Sequence, residues 1–282
     1  MQSIRAILIV VLSLNWLVAI LKILFGYKIK SASMVSDGYH SFSDGASNII
    51  GLIGVSVAMR PKDANHPYGH KKYETFTAII IAVVLFILSF HILHDTLERF
   101  HKLIIPQVSG ASFFVMILTM MINSVVMLCE YKAGKKFASD ILVADSLHTR
   151  SDILTSGAVI VSLVGVKAGY PVCDPVCSLG IALCIAYSGF GILRSSSRVL
   201  CDMAIVDVKK IEAIAKGIEG VAGCHEVRTR GRVDDIHIDL HVLVKKDMPV
   251  EQADILSDTI EEAIKAKIGG VSDVVVHIEP KK

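Results

Sequence analysis

Asp37-Gly38-Tyr39-His40-Ser41-Phe42-Ser43-Asp44 returns later in the chain as Asp145-Ser146-Leu147-His148-Thr149-Arg150-Ser151-Asp152. Both copies read D-x-x-H-x-x-S-D, and both run into long apolar stretches. At about 3.6 residues per helical turn, offsets of three, four and seven put Asp37, His40 and Asp44 on one face, and likewise Asp145, His148 and Asp152. Ionisable groups in apolar helices are costly and mark functional positions. One imidazole and one carboxylate from each of two helices, His40 and Asp44 with His148 and Asp152, make an N/O set suited to a small divalent metal such as zinc. The pattern points to a membrane carrier for such an ion.

Working outward, 282 residues of which 52% are hydrophobic, with mean hydropathy +0.57, are too apolar for an ordinary soluble domain. Charge is sparse before about residue 199 and dense after 206, which predicts a membrane domain over 1–200 and a small soluble domain over 201–282. Stretches at about 5–26, 33–58, 75–97, 108–131, 141–168 and 175–197 each meet the ~20 residues needed to cross a bilayer. The first reads as a membrane helix and not as a cleavable signal. The six scattered cysteines suggest no disulfide framework. No basic cluster points to nucleic acid. No HExxH is present, so a metalloprotease is disfavoured and no enzyme is expected.

Lys and Arg are more numerous on the side holding the N-terminus, loops 2–3 and 4–5 and the end of helix six, which predicts both termini in the cytoplasm. Helices two and five then run in opposite directions. At about 1.5 Å per residue, His40 comes level with Asp152 and Asp44 with His148, near the midplane of a ~30 Å core. Asp37 and Asp145, one turn away, are expected to support the ligands or line a pathway. Lys22 is expected to snorkel to the interface, with a role in transport as the alternative.

Loop 2–3 carries Asp63, His66 and His70, with Pro67 and Gly69 arguing against a helix. These three side chains could converge on a second metal or belong to a solvated loop. His91, His94, Asp95 and His101 gather near the outer end of helix three, as interfacial polar residues or a weak release site. Asp174 before Pro175 reads as a helix start.

After Asp207 the pattern becomes αββαβ: a helix, strands at about 224–231 and 235–244, a helix opened by Pro249, and a last strand. This suggests one small antiparallel sheet with two helices on a single face. The other face would show His225, His237, Asp239, His241, His277 and Glu279, consistent with a metal-binding dimer interface or with a polar solvated face.

The chain resembles the cation diffusion facilitators, proton-coupled exporters of divalent cations, over nearly its whole length. The likeness rests on His40-x-x-x-Asp44, His148-x-x-x-Asp152, Asp63-x-x-His66-x-x-x-His70 and His277-x-Glu279. It implies an α-helical polytopic protein of six transmembrane helices followed by a ferredoxin-like, metallochaperone-like cytoplasmic α+β domain. It also implies efflux of a divalent cation against protons from a multi-pass homodimer in the cell (inner) membrane, with no organic cofactor. The His/Asp quartet looks like the zinc-preferring branch; manganese, iron, cobalt or cadmium are the alternative cargoes, and a non-transporting membrane-anchored sensor is the rival reading. His225, His241 and His277 match positions that bind metal in some members, where zinc would act as a regulatory ligand. Asp254 stands where a His is common and Glu279 where an Asp is common. Lys72 and Asp202 match a charged pair that joins dimeric relatives at the membrane–cytoplasm junction.

Overall fold

The computed structural model describes residues 2–102, 105–137 and 140–281; the side chains of 2–9, 101, 134, 136, 137, 140–145, 147 and 148 lie outside the described residues. Six long helices come first: α1 (Gln2–Ile29), α2 (Ala32–Ala58), α3 (Lys72–Lys102), α4 (Gly110–Phe137), α5 (Asp140–Lys167) and α6 (Cys173–Leu200). The α+β part follows as α7 (Val208–Lys216), β1 (Gly223–Arg232), β2 (Asp235–Val244), α8 (Val250–Lys267) and β3 (Val271–Pro280). The chain forms two compact units, Met1–Arg60 with Phe76–Ile192, and Pro61–Thr75 with Leu193–Lys282.

Among the described residues, five of the six long helices are apolar enough to cross a membrane on length and composition. The exception is α2, because its first half carries Asp37, His40, Asp44 and several serines, many of them buried. Its polar face is turned inward, where lipid would not meet it. Within this unit α1 packs mainly on α2 and α4 mainly on α5, while α1 meets α4 and α2 meets α5 more sparingly. Small residues allow the close approach of α1 and α2. A Cβ on Gly38 would sit 2.7 Å from Ile23, and one on Gly45 would strike the Trp16 indole.

The start of α2 is held by a partner far away in sequence. Ser31 is its N-cap and accepts from the Met34 amide. The buried Asp174 carboxylate of α6 accepts from the Ser31 hydroxyl at 2.6 Å, the Ala32 amide at 2.6 Å, and the Ser33 hydroxyl and amide at 2.6 and 3.2 Å. A carboxylate at a helix N-terminus satisfies otherwise orphaned donors and meets the positive end of the dipole. The sequence places Asp174 at the start of its own helix, and it lies in the first turn of α6, which begins at Cys173; its carboxylate also serves α2.

In the second unit, Asp207 caps α7, Pro249 opens α8, and Gly270 turns into β3 at φ 82°. The alternating residues Ile236, Ile238, Leu240, Val242 and Val244 pack with Ile211, Ile214, Leu256, Ile260 and Ile264 into one core. Burying each such side chain contributes about 1.5–3 kcal/mol. The sheet order is β1-β2-β3, with β1–β2 antiparallel and β2–β3 parallel. The expectation of an antiparallel sheet is therefore corrected. The α8 crossover carries the chain back across the sheet, and a strand entered that way runs parallel to the one left.

Candidate metal centres

In the helical unit, α2 and α5 bring His40, Asp44 and Asp152 together, with one ligand atom from each lying within 4.8 Å of the others. His40 Nδ1 is 3.5 Å from Asp44 Oδ2, and His40 Nε2 is 3.8 Å from Asp152 Oδ1. These separations are long for hydrogen bonds but ordinary for groups that share a cation. The side chains are 16%, 17% and 9% exposed, so the group is shielded from bulk solvent. A small polar pocket lined by Asn15, Ser41, Asn48 and Asn123 adjoins Asp44 and Asp152. The backbone of His148 lies one turn before Asp152 on α5. The side chains of His148 and Asp145 lie outside the described residues.

On α1 the structure overturns one expectation. Lys22 does not snorkel: its side chain is fully buried, and its ammonium lies 2.9 Å from Asp37 Oδ2. It also donates to Ser41 at 3.2 Å and to Ser156 at 2.8 Å, while the Ser156 hydroxyl donates to Asp37 at 3.0 Å. A charge at this depth is tolerated because it is paired and hydrogen-bonded. The same rise used for His40 and Asp152 would have paired Lys22 with Asp37: the first lies about 10 Å from the end of α1 and the second about 8 Å from the start of α2. Glu130, which belongs to no motif, is also fully buried on α4 and accepts from the Thr149 hydroxyl at 3.0 Å.

In the second unit, Asp63, His66 and His70 converge within 4.8 Å. Asp63 Oδ1 is 3.2 Å from His66 Nδ1, and Asp63 Oδ2 is 3.3 Å from His70 Nε2. The backbone amide of His66 donates to Asp63 at 2.7 Å and holds its carboxyl below the usual range; the His66 ring and the Asn65 amide act in the same direction. The segment is fastened to the β1–β2 hairpin by Lys71–Asp234 and Arg232–Glu74, both at 2.7 Å, and by Tyr68 set edge-on to His237.

On the sheet, β-pairing puts His225, His241 and His277 in register across three strands. His225, His241 and Glu279 form the third group within 4.8 Å. Glu279 lies 3.0 Å from His241 Nδ1 and 3.4 Å from His225 Nε2, and the hydrogen bond from His241 holds its carboxyl below the ordinary range. His277 stands beside them, its ring centroid 4.6 Å from that of His241. Asp254 is exposed on α8 and is not gathered into this group. His237 points toward Tyr68 and lies 3.7 and 3.8 Å from Asp235 and Asp273. His91 and His94 are exposed on α3 and Asp95 is half-buried, each imidazole within 3.8 Å of Asp95; the His101 side chain lies outside the described residues.

Residues 8–201 match the family model for the cation efflux transmembrane domain, and residues 205–281 match that for the cation efflux protein, cytoplasmic domain. The chain belongs to the cation diffusion facilitator family. This cation efflux protein is 32% identical to an uncharacterized transporter of Methanocaldococcus jannaschii, with 99% of each chain covered. It is 27% identical to the cation-efflux pump FieF of Salmonella typhi, over 93% of this chain and 87% of that one. It is 26% identical to the magnetosome protein MamB of a Magnetospira strain, over 89% and 86%. Among solved structures, a MamM CTD variant covers 26% of this chain and 90% of its own, at 27% identity and a TM-score of 0.25. The cation diffusion facilitator is thus a multi-pass membrane transporter for a divalent cation and not an enzyme. The three tight His/carboxylate groups found among the described residues offer borderline nitrogen and hard oxygen donors, the chemistry such a cation requires.

Proposed function

We propose that this transporter exports zinc from the cytoplasm in exchange for protons, by alternating access around His40, Asp44, His148 and Asp152. The observation that carries the reading is the meeting of His40 and Asp44 on α2 with Asp152 on α5 in a shielded pocket. Two imidazoles and two carboxylates form a four-ligand set of the type zinc prefers. The two carboxylate charges offset one dication, so the loaded site can sit at membrane depth. Ligands must be deprotonated to hold metal, so protons arriving from outside displace the cargo. The imidazoles titrate nearest neutral pH and are natural carriers of the return proton.

Residues 1–200 form the transport domain in this reading, and 201–282 a cytoplasmic dimerisation and regulatory domain. Both termini face the cytoplasm of a cell whose inner membrane the protein spans. Two copies pair through the cytoplasmic domains. His225, His241 and Glu279 take a regulatory zinc, with His277 beside them; Asp254 would contribute only after moving toward the sheet. Asp63, His66 and His70 form a further cation site. Manganese, iron, cobalt and cadmium remain alternative cargoes for the same carrier.

The test is flux into proteoliposomes carrying a pH gradient. Asp44→Ala and Asp152→Ala should each abolish zinc uptake while the protein stays monodisperse. Native uptake in either variant would refute the site, and uptake independent of the gradient would refute exchange.

A further inference from the structure

We propose that Lys22 is a positioning residue for the membrane cation site and acts by tying α2 to α5 through Ser156. The proposal rests on the reading of His40, Asp44 and Asp152 as that site. A lysine ammonium has three donors and no acceptor. All three are used here: on Asp37 at 2.9 Å, Ser41 at 3.2 Å and Ser156 at 2.8 Å. The Ser156 hydroxyl completes the ring by donating to Asp37 at 3.0 Å. All four side chains are buried, so no water competes for these bonds.

The placement of these partners relative to the site is specific. Ser41 follows His40 directly on α2, and Ser156 lies one turn from Asp152 on α5. A single cation carried by α1 thereby grips both helices that supply ligands. The grip matters because α2 and α5 touch only sparingly elsewhere, each packing mainly on another helix. Gly38 lets α1 approach closely enough, since a Cβ there would sit 3.1 Å from the Lys22 Cβ. The ammonium cannot ligate a cation, so its contribution is indirect. Its charge also offsets that of Asp37, which it meets at Oδ2 one turn from His40.

Ser156→Ala removes both hydrogen bonds to α5 and leaves the ion pair intact. Zinc flux in proteoliposomes should then show a KM raised about tenfold, the lower end of what loss of a supporting contact costs a metal site, with a smaller change in kcat. A second variant, Lys22→Met/Asp37→Asn, removes the charge pair without stranding a buried charge, so it reports on the tie even if the first folds poorly. It should raise KM likewise at an unchanged thermal midpoint. A native KM in whichever of these variants reconstitutes overturns the proposal, as does a loss confined to kcat. Asp152→Ala run in the same vesicles separates the two levels: flux retained there removes the cation site itself, whereas flux lost there beside a native KM in Ser156→Ala removes only the tie.

Discussion

His40 Nε2 on α2 lies 3.8 Å from Asp152 Oδ1 on α5. More than a hundred residues separate the two in the chain, and each lies within its own copy of one eight-residue pattern. The contact turns two locally similar helices into one donor set. In the proposed carrier, the composition of that set decides which ion is held.

Replacing an imidazole by a carboxylate at this point should shift selectivity without removing the site. His40→Asp exchanges a borderline nitrogen for a hard oxygen, which favours manganese over zinc. Flux measured in vesicles for both cations should show the zinc-to-manganese ratio falling. An unchanged ratio would remove His40 from the ligand set.

Asp174→Ala should destabilise the helical unit more than an ordinary surface change. It strands the donors of Ser31, Ala32 and Ser33 at the start of α2. Hydrogen bonds to a charged group are worth about 1.5–3 kcal/mol each, and partial rearrangement should leave a loss of about 3 kcal/mol. Thermal unfolding in detergent should record this as a clearly lowered midpoint, and a midpoint equal to that of the parent protein would contradict the clamp.

The soluble unit should lose stability in acid through Glu279. Its folded-state pKa is lowered below the ordinary 4.5, chiefly by the hydrogen bond from His241. A group lowered in this way adds stability above its unfolded value, and that stability disappears as pH falls through the lower folded value. The protection of β3 amides in the full chain, taken relative to the intrinsic exchange rate at each pH, should therefore fall below about pH 4.5 in the parent protein. Glu279→Gln should flatten that dependence; an identical profile in the variant would contradict the assignment.

Core truncation in the same unit offers a control with a known scale. Ile260 is fully buried between α8 and the sheet. Ile260→Ala should cost about 2–5 kcal/mol by the loss of transfer energy and the cavity left behind. Exchange protection across β2 and β3 reads this directly, and protection equal to the parent's would contradict the packing.

Much of the architecture is legible along the chain. Apolar runs of membrane length, the repeated D-x-x-H-x-x-S-D and the alternation of Ile238, Leu240, Val242 and Val244 depend on periodicities of a few residues. Those periodicities are local, so one helix or strand declares them alone. The membrane trio is partly legible for the same reason, because helical rise converts sequence position into depth.

What the sequence by itself determined was therefore the kind and order of elements and the His and carboxylate positions that the proposed cation sites draw on. Tertiary structure alone decided the remaining partners of the buried charges: Lys22 with Ser156, Asp174 with the start of α2, Glu130 with Thr149. It also decided that β3 runs parallel to β2, since side chains alternate identically in both orientations and only the path through α8 distinguishes them. A buried charge must be paired, but its own neighbourhood in sequence does not say by whom; that is settled when helices far apart in the chain are pressed together and water is excluded from between them.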